Sequence, residues 1–210
     1  QLAVWRDAVT LFSHAVEVVP DSYFAHTNLA AVLVQLGRPD EAAAHYEAAL
    51  AVYPTYPTAL TGMGALRFGR GDFAAAADYH RRALVEEPQS PVVFANLGAA
   101  LIRLGDTTGA ADALKRAVAL APDYAMARAN LGALYLQQGR AAEAVAQLEH
   151  AIAIGPDSAA RRNSLGLAYA HSGRWAEAAT NFELALQLQP DFADAQRNLA
   201  VARARVGAGG

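Results

Sequence analysis

AMARANLGALYLQQGRAAEAVAQLEHAIAIGPDS, residues 125–158, is one full period of this chain. Leu131 and Gly132 stand in its first half, Gly139 near its middle, Ala144, Leu148 and Ala151 in its second half, and Pro156 close to its end. The proline returns every 34 residues without an insertion, at Pro20, Pro54, Pro88, Pro122, Pro156 and Pro190. A fixed period of this length marks stacked helical hairpins rather than one globular core.

Other residues keep the same time. Twelve before each proline is an alanine (Ala8, Ala42, Ala76, Ala110, Ala144, Ala178), and five before it another (Ala15, Ala49, Ala83, Ala117, Ala151, Ala185). Between them lies a large residue: Phe12, Tyr46, His80, Leu114, Leu148 or Phe182. Spacings of three and four put all three on one helix face, small residues allowing a partner helix close and the large one filling the gap. In the other half of each period come the pairs Leu29-Ala30, Met63-Gly64, Leu97-Gly98, Leu131-Gly132, Leu165-Gly166 and Leu199-Ala200, the contact stripe of a first helix. Gly37, Gly71, Gly105, Gly139 and Gly173 separate the two helices where a left-handed helix end favours glycine. The proline then stops the second helix.

With these positions the chain resembles the tetratricopeptide repeat family, whose small-residue, large-residue and closing-proline pattern it follows over nearly all of its length. The resemblance implies an all-α fold, a right-handed α-solenoid superhelix of antiparallel helix pairs with about 12 helices. Its units are a half unit at 1–22, full units at 23–56, 57–90, 91–124, 125–158 and 159–192, a terminal helix at 193–206 and a flexible tail at 207–210. The family's aromatic first-helix position departs from the pattern, being filled by His26, Leu60, Phe94, Arg128 and Arg162.

The 54% apolar content is dominated by Ala and Leu, which suits thin layers buried unit by unit. A net charge of −3 gives no basic footprint for nucleic acid. No run approaches the roughly 18 apolar residues of a membrane span, so direct membrane insertion is not expected. Cysteine is absent, which removes disulfide and thiol chemistry and leaves the compartment open. Beginning at Gln1 inside a unit, the chain reads as an excised or processed piece. Leu2, Trp5 and Leu11 then fall at an open apolar edge and are candidates for self-association into a homo-oligomer, whereas Gln196 and Arg203 give the last helix the polar face of a cap.

No catalytic constellation and no cofactor motif emerges. The histidines (His14, His26, His45, His80, His150, His171) have no metal-ligand spacing, and His80 replaces the large residue of its unit. Asp40-Glu41, Glu143 and Glu177 fall at second-helix starts, where they favour the helix dipole. The expected role is therefore a non-enzymatic scaffold that binds an extended peptide or partner protein.

First helices line the concave face of such solenoids. Counting each unit from its first residue, position six reads Asn28, Gly62, Asn96, Asn130, Ser164 and Asn198. An amide side chain offers an acceptor and two donors, and so can grip a peptide's N–H and C=O whatever its sequence. Packed helices lie roughly 8–10 Å apart while an extended chain advances about 3.3 Å per residue, so successive asparagines match about every third residue. Phe24, Val92 and Met126 at position two, and Gln35, Arg103, Gln137 and His171 at position thirteen, complete a mildly apolar groove.

The strings AHTNLA (25–30), FANLGAAL (94–101), ARANLGALY (127–135) and PDFADAQRNLA (190–200) resemble repeats of the O-linked N-acetylglucosamine transferase family. That likeness implies an inner asparagine ladder at Asn28, Asn96, Asn130 and Asn198 that holds substrates by their backbone, interrupted at Gly62 and Ser164. The opening stretch, through Trp5, Leu11 and Phe12, is similar to the junction of transmembrane-and-tetratricopeptide O-mannosyltransferases, which implies an extracytoplasmic module; otherwise a cytoplasmic one is equally open. Two alternatives to groove binding follow: self-assembly through the N-terminal edge, and a substrate-recruiting fragment of a larger glycosyltransferase. The carboxylate clamp of chaperone-tail binders is excluded, because its Lys and Asn positions hold Thr27, Thr61, Ala95, Ala129, Asn163 and Arg197, and Ala31, Ala65, Ala99, Ala133, Leu167 and Val201. Gly62, Gly64 and Gly69 within one first helix mark it as the most easily opened.

Overall fold

The computed structural model describes residues 2–208, and side chains over 7–208. Among these residues there are twelve α-helices and no strand: α1 (Leu2–Val18), α2 (Tyr23–Gln35), α3 (Pro39–Val52), α4 (Pro57–Gly69), α5 (Phe73–Glu86), α6 (Pro91–Leu104), α7 (Thr107–Leu120), α8 (Ala125–Gln137), α9 (Ala141–Ile154), α10 (Ala159–His171), α11 (Trp175–Leu188) and α12 (Ala193–Gly207). Each first helix begins at the residue where the 34-residue count starts a unit. Each second helix ends two residues before its proline. Gly207 still belongs to α12, while Gly209 and Gly210 lie outside the described residues. The chain forms two compact units, residues 1–105 (α1–α6) and 106–210 (α7–α12), and within each, consecutive helices pack on one another.

The turns explain the glycine clock. Gly37, Gly71, Gly105, Gly139 and Gly173 all have φ between +71° and +80°. Around Gly37, the Gly37 N–H bonds to Val34 O at 3.0 Å and the Arg38 N–H to Leu33 O at 2.9 Å, which satisfies carbonyls a helix end would otherwise leave bare. The same bonds recur after Gly71, Gly139 and Gly173. Second helices then start on an aspartate that accepts a backbone N–H (Asp72 from Ala75, Asp106 from Gly109), or on an arginine paired with the glutamate three residues on (Arg38–Glu41, Arg140–Glu143, Arg174–Glu177). Replacing Gly139 by Ala should cost about 1 kcal/mol, because a Cβ is strained at positive φ. Gly69→Ala, in open space at a helical φ, should gain up to about 1 kcal/mol. Urea midpoints that move the same way for both would show that backbone conformation is not what distinguishes these glycines.

Packing follows the large-into-small pattern. A Cβ built on Gly64 would lie 2.5 Å from the His80 ring, one on Gly132 2.6 Å from Leu148, and one on Gly166 2.5 Å from the Phe182 ring. In each hairpin the bulky residue of the second helix therefore rests on the bare backbone of the first. The flanking alanines, from Ala42 and Ala49 to Ala178 and Ala185, are fully buried. In α1 the equivalent Ala8, Phe12 and Ala15 are only half-buried.

The three glycines of α4 differ in kind. Gly64 is a close-packing glycine, and Gly69 faces open space. Gly62 meets Tyr46, which faces Ala30 rather than glycine in its own hairpin and extends across to the next first helix. A Cβ on residue 62 would lie 2.6 Å from the Tyr46 hydroxyl.

Candidate functional site

In the first unit, α2 carries Phe24, Asn28 and Gln35, and α6 carries Val92, Asn96 and Arg103. Phe24 is 59% and Val92 45% exposed, so neither belongs to the core. Arg103 lies over the Phe73 ring, its guanidinium carbon 4.2 Å from the centroid. Asn28 and Asn96 are both half-buried. Asn28 donates from Nδ2 to Phe24 O, one turn back on its own helix, at 2.8 Å, whereas the Asn96 amide has no partner among the described residues.

In the second unit, α8 presents exposed Met126 and Gln137 with half-buried Asn130, whose amide is likewise unpartnered among the described residues. Asn198 on α12 donates to Oδ1 of buried Asn163 on α10 at 3.0 Å, a bond between neighbouring first helices. His171 donates from Nδ1 to Leu167 O at 2.8 Å. A cavity of about 240 Å³ opens between α10, α11 and α12, lined by Leu167, His171, Trp175, Phe182, Asn198 and Val201. The four asparagines are thus of two kinds. Asn96 and Asn130 keep both donors and their acceptor for a ligand; Asn28 and Asn198 each have one donor committed within the protein.

At the N-terminal edge Leu11 is 63% exposed, beside a cavity of about 480 Å³ bounded by Phe12, Val18, Val19 and Phe24. The side chains of Leu2 and Trp5 lie outside the described residues.

Position four carries a hydrogen-bonding side chain in four of its six occurrences, His26, Arg128, Arg162 and Gln196. His26 is buried; its Nε2–H donates to Pro20 O at 2.9 Å, which leaves Nδ1 to accept from His45 Nδ1–H at 2.9 Å. Burial, and then the neighbouring His26, hold the His45 ring below the ordinary histidine range. Arg128 donates to Pro122 O at 2.5 Å and to Gln147 Oε1 at 2.9 Å. Arg162 reaches Asn181 Oδ1 at 3.3 Å, and Gln196 donates to Pro190 O at 2.8 Å. These side chains strap a first helix to the preceding proline turn and to the second helix. The signal is in the sequence: polar residues at position four stand nineteen before polar ones, whereas Leu60 stands nineteen before Tyr79, against which it packs.

Among the described residues no group of three or more His, Cys, Asp or Glu is placed to hold a metal ion, and no helix is long and apolar enough to cross a membrane.

Comparison with known proteins gives one family: the one described as the cilia and flagella-associated protein 70 C-terminal domain matches residues 3–209. No curated protein matches the chain. Among solved structures, YrrB, described as a TPR protein with an unusual peptide-binding site, aligns with a TM-score of 0.68 at 26% identity, over 89% of this chain and 96% of that one. A chain of the APC/C hetero-tetramer Cut9-Hcn1 aligns at a TM-score of 0.86 and 20% identity, over 96% of this chain and 40% of its own. Pseudomonas aeruginosa pilF aligns at 0.83 and 19%, over 95% of this chain and 91% of that one. The last two likenesses speak for the fold alone. The narrower similarity to O-linked N-acetylglucosamine transferase repeats rests on the sequence strings only.

Proposed function

Because the chain belongs to the family of the cilia and flagella-associated protein 70 C-terminal domain, a tetratricopeptide-repeat family, we propose that it is a protein-binding scaffold that takes an extended peptide segment along its first helices and performs no chemistry of its own. Helical-repeat proteins of this type are generally protein–protein interaction scaffolds, which supports the coarse reading. The finer one rests chiefly on a single observation: Asn96 and Asn130 project half-buried amides with no partner among the described residues. An amide left without a partner costs free energy unless solvent or a ligand satisfies it, and the paired N–H and C=O of a peptide backbone match it in both donor and acceptor. Exposed Phe24, Val92 and Met126 beside the amides supply apolar contact of the kind that anchors an extended segment. In this reading Asn28 and Asn198 contribute their remaining acceptor and donor, and Gln35 and Arg103 in the first unit, and Gln137 and His171 in the second, supply polar margins beside the amides of their own unit.

The test is binding of a degenerate peptide library to the intact chain. Asn96→Ala and Asn130→Ala should each weaken binding about tenfold, on the basis of about 1.4 kcal/mol for one bidentate backbone grip, with thermal midpoints unchanged. Unaltered binding by both variants would sink the proposal.

A further inference from the structure

We propose that the break in the asparagine series at Gly62 is a pocket for a lysine or arginine side chain of the bound segment. This inference rests on the peptide-groove reading above and adds a preference to it. Gly62 occupies on α4 the place that Asn28 and Asn96 hold on α2 and α6. With no Cβ there, Tyr46 of α3 reaches across, and its hydroxyl ends at a cavity of about 360 Å³. Tyr46 is buried, with 5% of its surface exposed, and its hydroxyl has no hydrogen-bond partner among the described residues. Burial also pushes its ionisation upward, so it meets a ligand as a neutral hydroxyl.

Thr58, Thr61, Ser90 and Glu87, three hydroxyl-bearing residues and one acidic one, line the same cavity. Each is unpartnered among the described residues. The hydroxyls at the positions that match Thr61 and Ser90 in other units are occupied. Thr27, at the position of Thr61, donates to Tyr23 O at 2.8 Å. Ser22 and Ser158 cap their helices by accepting from Ala25 and Arg161, whereas Ser90, the N-cap of α6, accepts no helix N–H. The glutamates at second-helix starts, Glu41, Glu143 and Glu177, are paired with arginines, whereas Glu87, just past the end of α5, forms no ion pair among the described residues.

Among the described residues no Lys or Arg lines the cavity, so the one charged residue there is acidic. An anionic group would meet repulsion from Glu87, and an apolar one would bury hydroxyls without partners. An ammonium or guanidinium group supplies three or five donors to a carboxylate and four oxygens able to accept. The occupant that satisfies the pocket is therefore a basic side chain, with its apolar stem lying against Val92 at the rim.

The experiment uses pools of nine-residue peptides, degenerate except for a central Lys, Arg, norleucine or Glu, titrated against the intact chain, Glu87→Gln and Asn96→Ala. The Lys and Arg pools should bind more tightly than the norleucine and Glu pools. Glu87→Gln, at an exposed position, should reduce that preference about fivefold, the scale of a solvent-accessible ion pair, and leave the norleucine pool unaffected. Asn96→Ala should weaken every pool. If Lys pools bind no better than norleucine pools, or the preference survives Glu87→Gln while Asn96→Ala still weakens binding, the pocket assignment is wrong and the groove stands. If no pool binds, both fall.

Discussion

Acidification from pH 7 to pH 4 is expected to remove about 3 kcal/mol of stability through one side chain, His80. The residue is 1% exposed, its ring fills the space over Gly64, and Nδ1 has no partner among the described residues. A neutral imidazole fits this layer as leucine does in other hairpins. A protonated one places an unsolvated charge there, and burial accordingly pulls its pKa from 6.5 down to about 4. The unfolded chain takes up the proton near 6.5, the folded chain only near 4, so between these values the unfolded state binds more protons. Stability is complete above pH 6.5, falls progressively as the pH drops towards 4, and changes no further from this group below that.

His45, also held low by burial and by His26, adds slope in the same direction, as do the carboxylates of Glu41, Glu143 and Glu177, which arginine partners and backbone hydrogen bonding keep below their ordinary range. The clean readout is therefore a difference between proteins. His80→Leu recreates the Leu148-on-Gly132 packing without a titrating group. Its urea midpoint should match or exceed the parent's at pH 7 and fall much less by pH 4.5. A variant as acid-sensitive as the parent would acquit His80.

The sequence makes the framework legible because each framework position has one physical task repeated in every unit. Positive φ admits glycine at the turns, and close approach admits only small residues opposite Tyr46, His80, Leu148 or Phe182, so periodicity alone places the helices and their contact faces. The candidate site is legible only in part. Position six is correctly located on the first helices, but whether its amide is available is decided locally: Asn28 satisfies itself on Phe24 O and Asn198 on Asn163, and a short amide on a helix has both options at every turn. The histidines show the same limit. Spacing shows no metal motif, yet it hides that buried His26 and half-buried His45 form a pair tied to Pro20, since that requires knowing which second-helix residue stands beside position four. Glycines in α4 read as softness when counted and as close packing when placed, at Gly62 and Gly64.

Gly62→Asn, which writes the position-six asparagine into α4, should destabilise the chain by about 1–3 kcal/mol rather than improve it. The new Cβ would fall 2.6 Å from the Tyr46 hydroxyl and 2.7 Å from Cε1, and a buried ring in the same core cluster as Ala30, Met63 and Leu66 has little room in which to withdraw. Tyr46→Leu alone should also destabilise, through the cavity left where the ring crosses to α4. Together the two changes should cost less than their sum by at least about 1 kcal/mol, because the pair reproduces the combination present in the second unit, where Leu114 precedes Asn130 at the same two positions. Additive effects in urea denaturation would show that Tyr46 and Gly62 do not constrain each other. The double variant also separates two uses of one site: it carries amides on all three first helices of the first unit, yet lacks the hydroxyl and the space that make the Gly62 pocket. Backbone-driven binding of norleucine peptides should then be kept or strengthened while the preference for lysine disappears.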